Sequence, residues 1–153
     1  MLETEVVQLL REKGLTIALA ESCTGGRVCD LLTNVPGCSE VLRGGVVAYS
    51  NEAKVKLLGV SNSTLEMHGA VSAECAEEMA SGARKVFGSD IGLSTTGIAG
   101  PGGATPSKPV GLVYIAISTG TGTRAFKHNF YGDRKEVRSK AAEEVLSLVL
   151  RSI

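Results

Sequence analysis

The sequence predicts an α/β fold, a mixed β-sheet with helices on both faces, and three observations predict it. Segments of helical periodicity alternate with short apolar runs; two of those runs, ending at Ala20 and Thr95, lead straight into glycine-rich loops; and a β-rich pair of segments precedes one closing helix. Interleaved helices and strands build a sheet with parallel neighbours. The late β-rich pair reads as an antiparallel hairpin, which makes the sheet mixed.

The elements follow in order. Val6, Val7, Leu9 and Leu10 recur near helical spacing between Leu2 and Lys13, and Gly14 supplies a stop. Leu15 to Ala20 reads as a short buried strand. From about Thr24 to Thr33 a helix carries Val28, Leu31 and Leu32 on one side and ends ahead of Pro36-Gly37. Val41 to Tyr49 holds Gly44-Gly45 and then Val46-Val47-Ala48, which suits a strand with a bulge or a close backbone approach. Ser50-Asn51 caps a short helix from Glu52 to Leu58, with Gly59 after it. Ser72 caps a longer helix to about Phe87, whose Glu74 and whose Arg84 and Lys85 complement the helix dipole at either end. Ile91 to Thr95 is a third buried strand, leading into Thr96-Gly97-Ile98-Ala99-Gly100-Pro101-Gly102-Gly103. Val110 to Ser118 and Arg124 to Phe130 form the hairpin around Thr119-Gly120-Thr121-Gly122-Thr123. Asp133 and Glu136 have capping-box spacing for the last helix, and Val137, Val145, Leu146, Leu148 and Val149 supply its apolar positions.

With 153 residues and 43% hydrophobic content, the chain is long enough for one domain, 1–153, and short for two. Sixteen basic residues balance sixteen acidic ones, so nothing favours a nucleic acid or an anionic membrane, and a small-molecule partner is expected. No apolar run has the length of a membrane span and the first residues are acidic, which sets the expectation of a cytoplasmic protein. Cys23, Cys29, Cys38 and Cys75 lack CxxC spacing and read as structural thiols. Cys23 alone stands in a suspect turn, where a helix N-terminus would favour a thiolate.

That turn, Ala20-Glu21-Ser22-Cys23-Thr24-Gly25-Gly26, follows a strand. It is expected to leave backbone N–H groups facing outward, able to hold a phosphate or carboxylate or to stabilise an oxyanion. Tight turns account for both glycine loops equally well: neither is a P-loop or a GxGxxG, and GxSxG is missing. Ser22 is a helix cap or a nucleophile. As a nucleophile it needs a base, and His68 and His128 lie in no triad pattern. Lys54 remains, either a neutral amine lowered in pKa by burial, a phosphate-binding charge or a solvated helix lysine. Tyr49 orients a neighbour, stacks on a ring or closes the core edge. Arg134 lies in the first turn of the last helix, where a cation opposes the dipole; it is an anion clamp or simply exposed. Lys108 is a further anion contact or solvated.

Together, Ala20-Glu21-Ser22-Cys23-Thr24-Gly25-Gly26, Tyr49-Ser50-Asn51-Glu52-Ala53-Lys54, Gly69-Ala70-Val71-Ser72, Thr96-Gly97-Ile98-Ala99-Gly100-Pro101 and Lys108-Pro109-Val110-Gly111 closely resemble the CinA C-terminal domain family, the nicotinamide mononucleotide deamidases. The resemblance spans essentially the whole chain and implies a three-layer α/β/α sandwich in its stand-alone form, without the extra N-terminal domain of many relatives. It implies an amidohydrolase that converts nicotinamide mononucleotide and water to nicotinic acid mononucleotide and ammonia, with no metal or other cofactor. By the same resemblance Ser22, Lys54 and Tyr49 are catalytic and Thr96 and Arg134 belong to the site; with Thr24, Gly25, Gly26, Gly97 and Gly100 of the two glycine loops, Thr96 and Arg134 are expected to contact a pyridine mononucleotide. Ser22 then either forms an acyl-enzyme or orients water. Which glycine loop takes the phosphate stays open. A homo-oligomer is expected, since glycine-rich strands with 4% aromatic residues leave surface to bury and relatives tend to associate. The rival reading is a non-catalytic nucleotide-binding regulatory module of the same fold.

Overall fold

A computed structural model describes the whole chain, Met1–Ile153. The elements run α1 (Leu2–Lys13), β1 (Ile17–Glu21), α2 (Arg27–Thr33), a 3-10 turn (Cys38–Glu40), β2 (Leu42–Val47), α3 (Asn51–Leu58), α4 (Asn62–His68), α5 (Ala73–Phe87), β3 (Ile91–Gly97), β4 (Leu112–Thr119), β5 (Gly122–Asn129) and α6 (Arg134–Ser152). The strands form one sheet in the order β2-β1-β3-β4-β5, with β1 parallel to β2 and β3, and β4 antiparallel to both β3 and β5. This is the mixed α/β sheet the sequence predicts.

The period-two alternation of the strands separates two unlike faces. Ile17, Leu19, Ile91, Leu93, Val113, Ile115 and Ile117 point to one side and form the larger core with α1, α2 and α6. Ala18, Ala20 and Ala116 point to the other, where α3, α4 and α5 lie. Small residues there let α5 sit close. A Cβ on Gly92 would stand 2.0 Å from the carbonyl oxygen of Ala80, and the Ser94 hydroxyl donates to Ala76 O at 2.6 Å. The two helical layers and the sheet between them make three layers.

Both alternatives offered for β2 are present. Ile17 pairs with Leu42 and Ala18 with Gly44, so Arg43 is the extra residue of a bulge. Gly44 makes room for the Phe87 ring and Gly45 for the Cys29 sulfur, each 2.4 Å from where a Cβ would be.

Two expectations are corrected, and one helix is added. Helix α2 starts at Arg27 rather than Thr24, because Gly25 and Gly26 adopt left-handed conformations (φ 59° and 102°) that a right-handed helix excludes. The hairpin is tighter than expected, since Thr119 pairs with Gly122 and leaves a two-residue turn. Helix α4 has no apolar periodicity to announce it; none of its residues is buried, and Ser61 caps it by accepting from the Thr64 amide.

The register decides where chemistry can gather. Glu21, Val47 and Thr95 stand abreast, so the segments leaving β1, β2 and β3 emerge at one edge of the sheet. Ligands of open α/β sheets lie outside the carboxyl ends of the strands. The largest cavity, about 640 Å³, lies instead at the far edge between the β4–β5 hairpin and the end of α6, and none of the predicted site residues lines it.

Candidate active site

Glu21, the last residue of β1, is 1% exposed, and its carboxylate organises the turn that follows. It accepts hydrogen bonds from Thr24 Oγ1 (2.6 Å) and from the amides of Gly26 (3.2 Å), Val28 (3.0 Å) and Cys29 (3.1 Å). The amide of Gly25 donates to Ser22 O and that of Arg27 to Thr24 O. The expectation of a turn with its N–H groups facing outward therefore needs correction, because a buried charge needs donors and Glu21 draws most of them inward. Of the turn amides, those of Cys23 and Thr24 have no partner in the protein.

Ser22 Oγ and Lys54 Nζ are 3.0 Å apart. Helix α3 carries Lys54, and its capping by Ser50 Oγ, which accepts from the Ala53 amide, fixes where that helix begins. Lys54 is 1% exposed, and its amine also donates to Ala48 O (2.9 Å) and Tyr49 O (3.0 Å). No carboxylate lies within ion-pair distance of it. Burial without a counter-charge pushes its pKa below the ordinary 10.5, since desolvation penalises the ammonium. A neutral amine in this place keeps two N–H bonds to the carbonyls and turns its lone pair to the serine hydroxyl. That arrangement can take a proton from Ser22.

Across the sheet edge, Arg134 is the first residue of α6, behind the Asp133 cap and its complete capping box with Glu136. Its guanidinium donates from Nη1 to Gly100 O (2.8 Å) and from Nη2 to Tyr49 Oη (3.1 Å). Tyr49 is 60% exposed at the mouth of a cleft of about 220 Å³ formed by Cys23, the loop from Gly97 to Gly103, and Arg134. The amides of Ala99, Gly100, Gly102 and Gly103 donate to nothing in the protein. A guanidinium beside free amides is the chemistry that holds a phosphate. The cleft is smaller than the ~300 Å³ of typical small-molecule pockets, so it suits one end of a nucleotide.

The structure thus brings Ser22, Lys54, Tyr49, Gly97, Gly100 and Arg134 to one edge. Thr24 is there too, but its hydroxyl is turned inward to Glu21 and to Thr95 Oγ1 (2.7 Å). Gly25 and Gly26 shape the turn while their amides are engaged within it. Thr96 faces α5, donating to Ala70 O (2.8 Å), and so ties down the connection between α4 and α5. Lys108 Nζ donates to His68 O. Burial raises the Cys23 thiol to about 11 and Cys29 to about 12, which leaves neither as a thiolate. His128 stacks on Phe130, away from Ser22.

Sequence reasoning missed Glu21, Thr95 and Arg138. A carboxylate closing an otherwise apolar strand is a signal for the first. Arg138 lies four residues after Arg134 on the same helix face, and it donates to Cys23 O and Thr24 O, both at 3.0 Å.

Comparison with known proteins places the chain in a family and agrees with the fold. The CinA C-terminal domain family matches residues 1–153. A CinA-like protein of Kosmotoga olearia is 55% identical over 152 residues, covering 99% of this chain and 37% of that protein. The crystal structure of a competence/damage inducible protein from Agrobacterium tumefaciens is 37% identical with a TM-score of 0.94, covering 98% of this chain and 92% of that one. The competence damage-inducible protein A structure from Klebsiella pneumoniae is 35% identical with a TM-score of 0.96, covering 99% and 94%. The chain spans little more than a third of the length of the curated relatives it matches.

Proposed function

The chain belongs to the CinA C-terminal domain family, and from that premise we propose that it is a nicotinamide-nucleotide amidase, hydrolysing nicotinamide mononucleotide to nicotinic acid mononucleotide and ammonia. The observation that carries the reading is the buried Ser22–Lys54 pair, 3.0 Å apart with no carboxylate to hold the lysine charged. Ser22 Oγ bonds to the carboxamide carbon as its proton passes to Lys54 Nζ. The same proton then goes to the leaving nitrogen, the C–N bond breaks, and ammonia departs. Lys54 then takes a proton from water as its oxygen bonds to the acyl carbon, and returns that proton to Ser22 Oγ as the ester C–O bond breaks, which releases the acid and restores both groups. Splitting amide hydrolysis in this way replaces one difficult step by two easier ones.

Arg134 and the free amides of the second glycine loop support a phosphate subsite there, and Tyr49 stands between that subsite and the amide end. The first turn then faces the carboxamide. Glycine-rich strands support self-association of this domain, and the absence of any helix long and apolar enough to cross a membrane fits a cytoplasmic setting.

The test is ammonia release from nicotinamide mononucleotide, with and without chelator. Ser22→Ala should abolish it and leave thermal unfolding within a few degrees of wild type, because Ser22 Oγ has one hydrogen-bond partner, Lys54. Wild-type turnover in that variant removes the nucleophile. Nucleotide binding without any ammonia would return the non-catalytic module.

A further inference from the structure

We propose that Glu21 and Arg138 are positioning residues that build an oxyanion hole from the N–H groups of Cys23 and Thr24, a proposal that rests on the serine–lysine reading of the site. A trans peptide points its C=O and its N–H in opposite directions. The carbonyl of Ser22 is held inside the turn by the Gly25 amide at 3.1 Å, so the N–H of the same peptide unit, on Cys23, points away from the turn interior. The carbonyl of Cys23 is held by Arg138 Nε at 3.0 Å, so the N–H of Thr24 points away from α6. Arg138 Nη2 adds a second hold on Thr24 O at 3.0 Å, and the planar fork fixes both carbonyls together.

Glu21 completes the selection. Its carboxylate takes the amides of Gly26, Val28 and Cys29, leaving Cys23 and Thr24 as the turn's unpartnered donors. It also sets the direction of a hydroxyl chain. An ionised carboxylate only accepts, so Thr24 O–H donates to Glu21, Thr95 O–H donates to Thr24 Oγ1, and Thr95 Oγ1 is left to accept, at 3.3 Å, the second branch of a Ser22 N–H bond whose shorter branch, 3.1 Å, goes to Thr95 O. The backbone of the nucleophile is thereby tied to a buried charge through groups whose proton positions have one arrangement. Two adjacent N–H groups beside a nucleophile are what a tetrahedral oxyanion requires.

Three variants test this: Arg138→Met, which keeps the aliphatic stem, Arg138→Lys, and Glu21→Gln, in which the new NH₂ faces the Cys29 amide or the three donors on the other oxygen. Two rates are read: ammonia release from nicotinamide mononucleotide, and phosphonylation of Ser22 by a fluorophosphonate, followed by mass spectrometry. In Arg138→Met both should fall about 100-fold, the loss typical of one oxyanion donor, with KM within about twofold and partial recovery on adding millimolar guanidinium. Arg138→Lys should fall between wild type and Arg138→Met, and Glu21→Gln should reproduce the Arg138→Met pattern. Phosphonylation at the wild-type rate in Arg138→Met overturns the proposal, as does a rise in KM with kcat intact. Should Glu21→Gln fail to fold, the Arg138 series decides. Wild-type protein that is phosphonylated at Ser22 but releases no ammonia refutes the amidase reading while the rate ratios still judge the hole; wild-type protein that does neither refutes both.

Discussion

Replacing Lys54 by methionine is the sharpest test of the site. The stem is preserved and only the amine goes, which removes the group 3.0 Å from Ser22 Oγ and the donors to Ala48 O and Tyr49 O. Loss of a general base typically costs about 10²–10⁴ in rate, which at about 1.4 kcal/mol per decade is roughly 3–6 kcal/mol of transition-state stabilisation. Stability should move less. The two carbonyls left without a partner each cost about 1–3 kcal/mol, and relief of the desolvation that lowers the lysine pKa offsets part of this. The assay is kcat/KM for ammonia release across pH 6–10, with thermal unfolding alongside. A protonated amine cannot accept the serine proton, so wild-type activity should fall as pH drops through the Lys54 pKa, on a limb centred below the ordinary 10.5. Lys54→Met should lack that limb. Activity within tenfold of wild type, or an unchanged limb in the variant, would refute the assignment of Lys54 as base.

The remaining predictions concern binding and packing. Arg134→Ala should raise KM for nicotinamide mononucleotide about 10- to 100-fold, the equivalent of one charge-assisted hydrogen bond, and leave nicotinamide riboside nearly unaffected; equal losses on both would contradict a phosphate clamp. Gly92→Ala should destabilise the fold by about 3 kcal/mol or more, since its methyl would meet the Ala80 carbonyl backbone at 2.0 Å, and an unchanged urea midpoint would show that α5 is free to move outward. The unfolded Cys23 thiol ionises near 9.0 and the folded one near 11. Its contribution to stability is therefore full below pH 9 and is lost as pH rises through 11, about 3 kcal/mol in all. Urea midpoints at pH 8 and pH 11 should differ less in Cys23→Ala than in wild type.

What could be read from the chain divides along a physical line. Periodicity and caps are local, so α1 with its Gly14 stop, the Ser50 and Ser72 caps and the Asp133–Glu136 capping box all stand where the residues place them. Ser22 and Lys54 are 32 positions apart, so the residues alone left Lys54 open between base, phosphate contact and solvated lysine, and only the resemblance made both catalytic. The destination of the turn amides was hidden for a different reason. Glycine at 25 and 26 announces a turn, but whether its N–H groups face a ligand or the interior depends on Glu21, which lies one residue past the strand the sequence predicts and is buried as the last residue of β1. Helix α4 escaped detection because none of its residues is buried, so its sequence carries no stripe to read.

The first two turns of α6 act as a strut between loops that come from β1 and β3, with Arg138 gripping the one and Arg134 the other. Everything that reacts is encoded earlier in the chain. The same helix lays Val137, Ala141, Val145 and Leu146 into the larger core, so a polypeptide halted short of residue 138 would lack both the braces and the packing behind the sheet on which the reactive pair stands.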